Sequence, residues 1–570
     1  MKTTLLLIAT LLVSKLIHAQ QEIVSGEIGK SVDTYLARTA PFGFSGAVLV
    51  ANNGEVVLNK GYGFADRTQK IENKPNFVFS TGSLTKQFTA AAIMKLEMME
   101  KLHTDDNLSD YFENLPEDKK NITLRHLLTH TSGLPIALSS DDFKAITRNE
   151  YLNEALNAEL QFEPGNDFSY SNVGFTLLAM IIEDTSGLSY EEFLHKYFFE
   201  PTGMSQTGYK LPKWNTKNFV HIYNGQKDNG TSAMLTAPTW HLIGNGGILS
   251  TTHDMYKWVK ALSGTTILSK KAKEKMFTPF KNDYGFGWDV LDGGNLRQHN
   301  GGSTLGNGAE LRWFVRDELV TMIFTNSTID GKKGYQVVRN ELEALTMGDE
   351  IPMPPAIQTI EKNMEPYRGT YKMPSGATFL IEASGSNTNL VVESQELLDF
   401  LVDPENYKIG GTNVELNKKF EQAFSKALNS DDYSDFTFTG AAKGLEKEIK
   451  NELRMEGIKK PYFKILRTMP SERSKKHNIT DVALNGNKDF EGESLLLHIV
   501  TLNETFVGLG VDFGFINPIT LGIFPIGENK FQLYDLNAKI GAKLEIQEAA
   551  DGEFTFTVGQ TSISGIKKIN

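Results

Sequence analysis

A short segment rich in glycine and proline separates two parts of the chain that differ in the period of their apolar residues. Residues 347–355 include Gly348, Pro352, Pro354 and Pro355, a composition typical of a linker. Before this segment strand and helix patterns alternate, whereas after it short alternating polar and apolar runs predominate. Because that period decides which secondary structure can bury the apolar side chains, we predict an α/β (α+β) first part and a β-rich C-terminal part.

The first part carries signals for both strands and helices. Residues 46–50 and 55–58 flank the dipeptide Asn53-Gly54, whose tolerance of positive φ angles favours a tight hairpin turn. The stretch 83–102 repeats apolar residues near the 3.6-residue period of an amphipathic helix. The remaining predicted elements are two helices and one buried strand, at 172–185, 254–262 and 322–326.

The second part is predicted to consist mainly of short strands. They are expected at 378–382, 389–394, 463–467, 495–500, 506–513, 531–534 and 553–558. An amphipathic stretch at 445–455 interrupts them. We therefore predict one domain over 20–347 and two small β-rich domains over 356–440 and 441–570, the last with the strand content of a barrel.

The N-terminal residues 1–19 have the pattern of a secretory signal peptide. Lys2 precedes an apolar run at 5–13, and Ala19 ends a short segment suited to cleavage. The run is shorter than the roughly 20 apolar residues of a membrane span. We therefore predict cleavage after Ala19, export to the periplasm or the medium, and no membrane span in the mature chain.

Composition excludes several classes of protein. The chain contains no cysteine, which removes disulfides, thiolate catalysis and cysteine-ligated metal centres. Its formal net charge is -12 and it lacks a long basic block, so nucleic acid and anionic membranes are poor partners. No phosphate-binding glycine loop is present, and no cofactor is predicted.

Ser83 and Lys86 are the first candidate catalytic pair. Ser83 opens the predicted helix, where unpaired backbone N–H groups and the helix dipole stabilise an anion. Lys86 follows about one turn later on the same face. In a site closed to water the pKa of a lysine falls, so that it can accept the serine proton. The alternative is an N-cap serine followed by a solvated lysine; the same spacing recurs at Ser564 and Lys567, which we interpret as coincidence.

Two further segments carry polar side chains suited to catalysis. Tyr170 follows a turn-rich approach, and its phenol can move protons if a nearby cation favours the phenolate. Asn172 can donate to a substrate carbonyl and accept from Lys86. The alternative is a tyrosine and an N-capping asparagine that hold a loop.

His299 precedes Asn300, Gly301 and Gly302. On a strand at the edge of a site, this glycine pair would let a substrate backbone approach, and the Gly302 N–H could form an oxyanion hole with that of Ser83. A histidine beside glycines is otherwise a common turn residue.

The combination of Ser-x-x-Lys, Tyr-x-Asn and His-x-Gly in this order resembles the active-site signature of the β-lactamase-related serine hydrolases. This group includes class C β-lactamases, D-Ala-D-Ala carboxypeptidases, D-amino-acid peptidases and esterases. Three more stretches match its pattern: 122–135, 168–174 and 246–251. The resemblance covers about residues 30–345, little more than half of the chain.

The resemblance implies an antiparallel sheet flanked by helices, a mostly helical second lobe, and an active site between them. Ser83 would form the acyl-enzyme, Lys86 and Tyr170 would move its proton, and Tyr170 would help to activate the deacylating water. Asn172 would orient the substrate. His299 would stand where many β-lactamases and carboxypeptidases have the lysine of Lys-Thr-Gly.

That histidine is a departure from the family pattern with a chemical consequence. A lysine is a fixed charge for a substrate carboxylate, whereas a histidine is mostly neutral at pH 7, and Asn300 also lacks the threonine hydroxyl. We therefore expect weak β-lactamase activity and a small peptide, amide or ester substrate.

Alternative interpretations concern one other motif and the tail. His126 and His130 have the spacing of a zinc helix, but Leu127 stands where such a helix carries glutamate, so both are interpreted as structural. A catalytically idle sensor or scaffold that binds cell-wall fragments or a partner through the tail is the second functional hypothesis. The tail itself is interpreted as a lipocalin-like ligand barrel, or as a module for homo-oligomerisation that covers the cleft.

Overall fold

The computed structural model gives the architecture of most of the chain. The described residues are 22–139, 141–329, 331–357, 362–384, 387–392, 394–407, 414–432, 434–436, 449–450, 461–471, 474–486, 488–489, 494–502, 505–514, 519–536 and 540–569. They form two compact units, Met1–Ile351 and Pro352–Asn570. The predicted signal peptide at 1–19 and most of the amphipathic stretch at 445–455 lie outside the described residues.

The first unit is built on a seven-stranded antiparallel sheet. Its strands are β1 Ile23–Val24, β2 Gly46–Asn52, β3 Glu55–Tyr62, β4 Asp289–Leu291, β5 Leu296–Gly302, β6 Gly308–Phe314 and β7 Leu319–Thr325. They lie side by side in the order β1-β3-β2-β7-β6-β5-β4. The predicted hairpin is the β2-β3 pair, and Asn53 and Gly54 adopt positive φ angles of 51° and 76° in its turn.

Helices and short strand pairs surround this sheet. The α-helices of five or more residues are α1 Gly26–Thr39, α2 Thr85–Met98, α3 Leu124–Leu128, α4 Arg148–Asn157, α5 Asn172–Ser186, α6 Tyr190–Leu194, α7 Thr252–Ser263, α8 Lys270–Met276 and α9 Gly334–Thr346. Every residue of β7 is buried, as expected for a strand whose two faces are both covered. An antiparallel sheet with flanking helices and a helical lobe was predicted, and this fold class is confirmed.

The helical lobe is held by a large apolar core. Helix α5 is apolar on almost every side, and ten of its fifteen residues are buried, because it runs through the lobe and contacts α2. The helices predicted at 172–185 and 254–262 are therefore present as α5 and α7. None of the helices among the described residues combines the length and hydropathy needed to cross a membrane.

The second unit contains a closed antiparallel barrel and a separate four-stranded sheet. The barrel strands are β8 Gly369–Lys372, β9 Thr378–Ser384, β10 Asn387–Val392, β15 Ile519–Pro525, β16 Lys530–Asp535, β17 Ile540–Glu548, β18 Glu553–Val558 and β19 Thr561–Lys568. The sheet consists of β11 Tyr462–Ser471, β12 Ser474–Asn485, β13 Ser494–Leu502 and β14 Thr505–Gly514. Helices α10 Gln395–Val402 and α11 Val414–Ser430 precede that sheet.

The barrel uses strands from both sides of the boundary predicted between residues 440 and 441. Strand β10 pairs directly with β15, and β8 pairs with β19. The segment between β10 and β15 is therefore an insertion between neighbouring barrel strands, and the predicted boundary falls inside this insertion. Buried aromatic and aliphatic side chains pack against one another as one core, among them Tyr371, Phe379 and Phe556.

Candidate active site

Ser83 lies in a tight turn at the start of α2. The turn, Gly82–Leu84, is a 3-10 helix, and the α-helix proper begins at Thr85. Two residues of the predicted helix 83–102 therefore belong to this turn, which leaves the Ser83 side chain half-buried rather than packed into the core. The Lys86 Nζ lies 3.1 Å from the Ser83 Oγ. The predicted pair is thus in hydrogen-bonding contact.

Lys86 is fully buried, and its surroundings favour a neutral amine. Its Nζ contacts the Oδ1 of Asn172 at 2.7 Å and the backbone oxygen of Asn245 at 2.8 Å. Burial moves the pKa of Lys86 well below its usual value of 10.5, as predicted, and the more distant Asp142 carboxylate opposes this shift only in part. A neutral amine donates its two protons to these two oxygens, which can only accept. Its lone pair is then directed to the Ser83 hydroxyl.

Tyr170 completes the cluster, but with a charge state that differs from the prediction. Its ring centroid lies 4.7 Å from the Lys86 Nζ, and its hydroxyl hydrogen-bonds to Ser83. Burial raises the pKa of Tyr170 above its usual value, and the hydrogen bond to Ser83 opposes that rise only weakly. The expected cation-stabilised phenolate is therefore not favoured, because burial of Lys86 removes the cation.

The segment that carries Tyr170 and Asn172 packs against the side chain of His130 and hydrogen-bonds to it. Ser171 caps α5 by accepting a hydrogen bond from the Gly174 N–H at 3.1 Å. The Ser171 backbone N–H donates to His130 Nδ1 at 3.0 Å, and the His130 ring lies 4.1 Å from that of Tyr170 between centroids. Burial keeps the pKa of His130 well below its usual value. The His130 ring is therefore neutral where it packs against the Tyr170 ring.

His299 is buried, and its tautomer follows from its two partners. The Asn300 carbonyl oxygen, 2.6 Å from Nδ1, can only accept, so Nδ1 carries the proton. Nε2 then accepts from the hydroxyl of Tyr284 at 3.0 Å. Burial, with the nearby Lys86, lowers the pKa of His299 to about 3. His299 is therefore neutral and supplies no positive charge to the site.

Gly301 and Gly302 bring β5 into backbone contact with the Ser83 turn. A Cβ added to Gly301 would lie 2.4 Å from the Ser83 nitrogen, and one added to Gly82 would lie 2.5 Å from the Gly302 nitrogen. Only glycine permits this approach. The backbone nitrogens of Ser83 and Gly302 are thus brought to one end of the cleft, next to the nucleophile, where the oxyanion hole was predicted.

A cleft of about 770 Å³ opens over these residues. Six of the eight predicted site residues line it: Ser83, Tyr170, His299, Asn300, Gly301 and Gly302. Asn172 lines an adjoining recess of about 50 Å³, whose apolar walls include Phe143, Leu235, Leu242 and Leu305. Lys86 lies behind Ser83 and lines neither space.

Three charged side chains of the cleft were not predicted. Lys333 lies beside Gly302, and its ammonium donates to the Ser303 backbone oxygen. Burial lowers the pKa of Lys333, raises that of Asp142, and raises that of Asp289 to about 6. No short motif surrounds any of them, so sequence spacing contained no signal for their presence.

The buried partners Asn245, His130 and Tyr284 were likewise not identified as site residues. Asn245 adjoins the recognised stretch 246–251, which is the one sequence signal that could have drawn attention to it. His126 lies outside the site and accepts the Thr123 backbone N–H at 3.2 Å in the cap of α3. Residues 564–567, the second Ser-x-x-Lys, lie in barrel strand β19 with Ser564 exposed.

Comparison with known proteins agrees with this geometry. A family model described as β-lactamase matches residues 40–346. The putative penicillin-binding protein PbpX of Bacillus subtilis is 30% identical over 330 residues, which are 57% of this chain and 82% of that protein. Penicillin-binding protein 4* of the same organism is 28% identical over 396 residues, 64% of this chain and 87% of that protein.

A solved structure extends the similarity of fold to the tail. The octameric penicillin-binding protein homologue from Pyrococcus abyssi superimposes with a TM-score of 0.50 at 19% identity, over 95% of this chain and 100% of that one. The family model covers more than half of the sequence and includes every residue of the cluster around Ser83. This chain belongs to the β-lactamase-related serine hydrolase family.

Proposed function

We propose that this serine hydrolase is exported and cleaves small peptides, amides or esters through an acyl-enzyme on Ser83, as a D-amino-acid peptidase, a carboxypeptidase or an esterase. One observation carries the proposal. The amine of Lys86 is buried, is held by two acceptors, and lies 3.1 Å from the Ser83 Oγ at the edge of an open cleft. A buried neutral amine in hydrogen-bonding reach of a serine is a general base ready to act.

Acylation follows from this arrangement. As the Ser83 Oγ attacks the substrate carbonyl, its proton passes to the Lys86 amine, and the carbonyl oxygen becomes an anion between the backbone N–H groups of Ser83 and Gly302. Tyr170 is protonated at neutral pH because burial raises its pKa. It can therefore give its proton to the leaving group and recover one from the neighbouring Lys86 ammonium.

Deacylation reverses these proton transfers with water as the nucleophile. As the water attacks, its proton passes to the Tyr170 oxygen while the phenolic proton passes to the Ser83 Oγ, which leaves as the ester bond breaks, and Lys86 ends the cycle as a neutral amine. Asn172 holds Lys86 through its Oδ1 at 2.7 Å, which leaves its amide N–H groups to orient the acyl carbonyl. The function of Tyr170 in this scheme is that of a relay rather than of a phenolate base.

The cleft supports a small substrate that carries polar or charged groups. Its volume of about 770 Å³ is within the range of small-molecule sites, and the 50 Å³ recess suits a small apolar acyl substituent. Because His299 is neutral, Lys333 supplies the positive charge among the described residues that line this cleft, opposed by Asp142 and Asp289. The penicillin-binding proteins that this chain resembles add support for peptide-like substrates.

Export is part of the proposal and rests on sequence. Residues 1–19 have a positive start, an apolar run and a cleavage segment. Residue-by-residue sequencing of the secreted protein would test it. An N-terminus at Gln20 is expected, whereas retention of Met1 in the purified extracytoplasmic protein would contradict cleavage.

A labelling experiment tests the nucleophile. A fluorophosphonate or a labelled penicillin should form a stable adduct with the wild type and none with Ser83→Ala. Ser564→Ala is a matched control, since it removes the serine of the second Ser-x-x-Lys and should label fully. Equal labelling of Ser83→Ala and wild type would refute the mechanism.

A substrate panel tests the reaction class. It contains nitrocefin, D-Ala-D-Ala peptides, D-amino-acid amides and p-nitrophenyl esters. Turnover of the amides, peptides or esters above nitrocefin is expected. Labelling of Ser83 without turnover of any member would instead favour the idle sensor or scaffold.

A further inference from the structure

A second cavity, of about 720 Å³, lies in the first unit apart from the Ser83 cleft. Helices α7 and α8 form one side, and the ends of β5, β6 and β7 form the other. None of its lining residues lines the Ser83 cleft or its recess. The mechanism above does not use it.

Arg297 of β5 is the central feature of this cavity. Its guanidinium carbon lies 3.9 Å from the ring centroid of Phe277 and 4.8 Å from that of Trp313. The two rings stand at 83° to each other, so the guanidinium occupies an aromatic corner. Such contacts hold an arginine side chain in place while its N–H groups stay directed at the cavity.

This guanidinium has no hydrogen-bonding or ionic partner among the described residues. Its Nε is buried and unpaired, and burial lowers the pKa of Arg297. A partly buried charge without a counter-ion is costly, and proteins ordinarily pair such a group. Arg297 also lines the cavity, so its terminal N–H groups are available to an anion that enters it.

The other charged side chains of the cavity also favour an anionic ligand. Lys273 is the second inner cation; its ammonium donates to the backbone oxygens of Leu262 at 2.8 Å and Gly264 at 2.5 Å. Burial lowers the pKa of Lys273, and repulsion from Arg297 lowers it further. Lys260, Lys270, Glu274 and Glu318 lie exposed at the rim. Four cations against two carboxylates leave the cavity with a formal charge of +2 (4 − 2).

The remaining walls are apolar and favour an organic ligand over a bare ion. Val259, Leu262, Val315 and Val320 line the cavity together with Phe277 and Trp313. A planar carboxylate matches the parallel N–H groups of a guanidinium, and a carbon skeleton attached to it would contact these side chains. Inorganic phosphate has no apolar part to make these contacts.

We propose that this cavity is a binding site for a small organic carboxylate, held by paired hydrogen bonds to Arg297 and by contact of its apolar part with Phe277 and Trp313. The site is independent of the acyl-enzyme chemistry at Ser83. It assigns a function to an arginine that the hydrolase mechanism leaves unexplained.

The test is calorimetric titration of the full-length protein with 3-phenylpropionate. One saturable site is expected. Arg297→Gln should weaken binding about tenfold or more, as loss of a charge-assisted bidentate pair does. Arg297→Lys, which keeps the charge without the paired N–H groups, should be intermediate and serves if the glutamine variant unfolds.

Two controls separate this site from its alternatives. Arg316→Gln removes an exposed arginine that pairs with Asp292, and Lys333→Met changes the Ser83 cleft; both should bind 3-phenylpropionate as the wild type does. The neutral analogue 3-phenylpropionamide and inorganic phosphate should bind at least tenfold more weakly. Wild-type affinity in Arg297→Gln, loss of binding in Lys333→Met, or equal binding of the amide or of phosphate would each overturn the proposal.

Discussion

Replacing Gly301 by alanine tests whether backbone contact between β5 and the Ser83 turn is needed for catalysis. The added Cβ would lie 2.4 Å from the Ser83 nitrogen, 2.6 Å from the Thr81 oxygen and 2.9 Å from the Gly82 carbonyl carbon. Ordinary contact begins at 3.4 Å, so the two segments must separate by about 1.0 Å (3.4 − 2.4). All three atoms belong to the backbone, and no side-chain rotation can relieve the overlap.

Such a separation displaces the two proposed oxyanion donors from each other. Removal of one donor costs about 10²- to 10³-fold in rate, or roughly 2.7–4 kcal/mol. We therefore expect kcat/KM of Gly301→Ala to fall about 100-fold or more. Overpacking should also lower the free energy of unfolding, by about 1–3 kcal/mol, so the variant is expected to fold with a reduced Tm.

The assay is the acylation burst with a p-nitrophenyl ester, measured beside thermal unfolding. Gly264→Ala is the matched control, because its φ is ordinary and its added Cβ has no neighbour nearer than 3.8 Å. In Gly82→Ala the added Cβ would lie on the other side of the same contact, 2.5 Å from the Gly302 nitrogen. This variant should lose the burst as well. A folded Gly301→Ala with the wild-type burst rate would refute the reasoning.

Three further predictions concern ionisation and buried hydrogen bonds. Burial lowers the pKa of Lys86 and raises that of Tyr170. We therefore expect kcat/KM to rise with pH as Lys86 loses its proton, and to show no decrease from ionisation of Tyr170 below about pH 10. A decrease of kcat/KM just above pH 7 would contradict this. In the unfolded chain Lys86 keeps its proton up to its usual pKa of about 10.5, whereas in the folded protein it loses the proton at a lower pH. The free energy of unfolding of the wild type should therefore increase with pH between these two pKa values. Urea unfolding should not show this increase in Lys86→Met. Tyr284→Phe leaves His299 Nε2 without its donor and should cost about 1–3 kcal/mol of unfolding free energy, whereas an unchanged urea midpoint would mean that water replaces the hydroxyl.

Local sequence patterns predicted the helices and strands of the first unit well, because these elements are determined by residues that are close together in the sequence. The turn at Asn53 and Gly54 needs two positive φ angles, and those residue types tolerate them. Helix α5 was predicted at 172–185 and spans Asn172–Ser186, since its apolar period is visible in the sequence; its N-cap is Ser171, one residue before the asparagine considered for that position. The start of α2 was displaced by two residues, because a 3-10 turn and a helical first turn have the same residue preferences.

The tail shows where local patterns stop being informative. Strand β18 was predicted at its observed bounds, Glu553–Val558, yet the pairing of β10 with β15 joins residues more than a hundred positions apart. Alternation of polar and apolar residues indicates that a strand has one buried face, but it does not indicate which strand pairs with it. Domain boundaries at 440 and 441 were therefore placed by a change of pattern inside an insertion. Self-association through this region stays a prediction, to be measured by sizing with and without the residues after 351.

The residues of the candidate site could be found from their spacing, and the lowered pKa of Lys86 was expected, but the raised pKa of Tyr170 was not, because it depends on the burial of that ring. A phenolate at Tyr170 was expected on the assumption of a neighbouring cation, and the same burial that makes Lys86 a base removes that cation. Neutral Lys86 and neutral His299 share this cause. It follows that the base depends on exclusion of water: any change that hydrates the space behind Ser83 would raise the pKa of Lys86 and stop acylation at neutral pH while every catalytic side chain remained present.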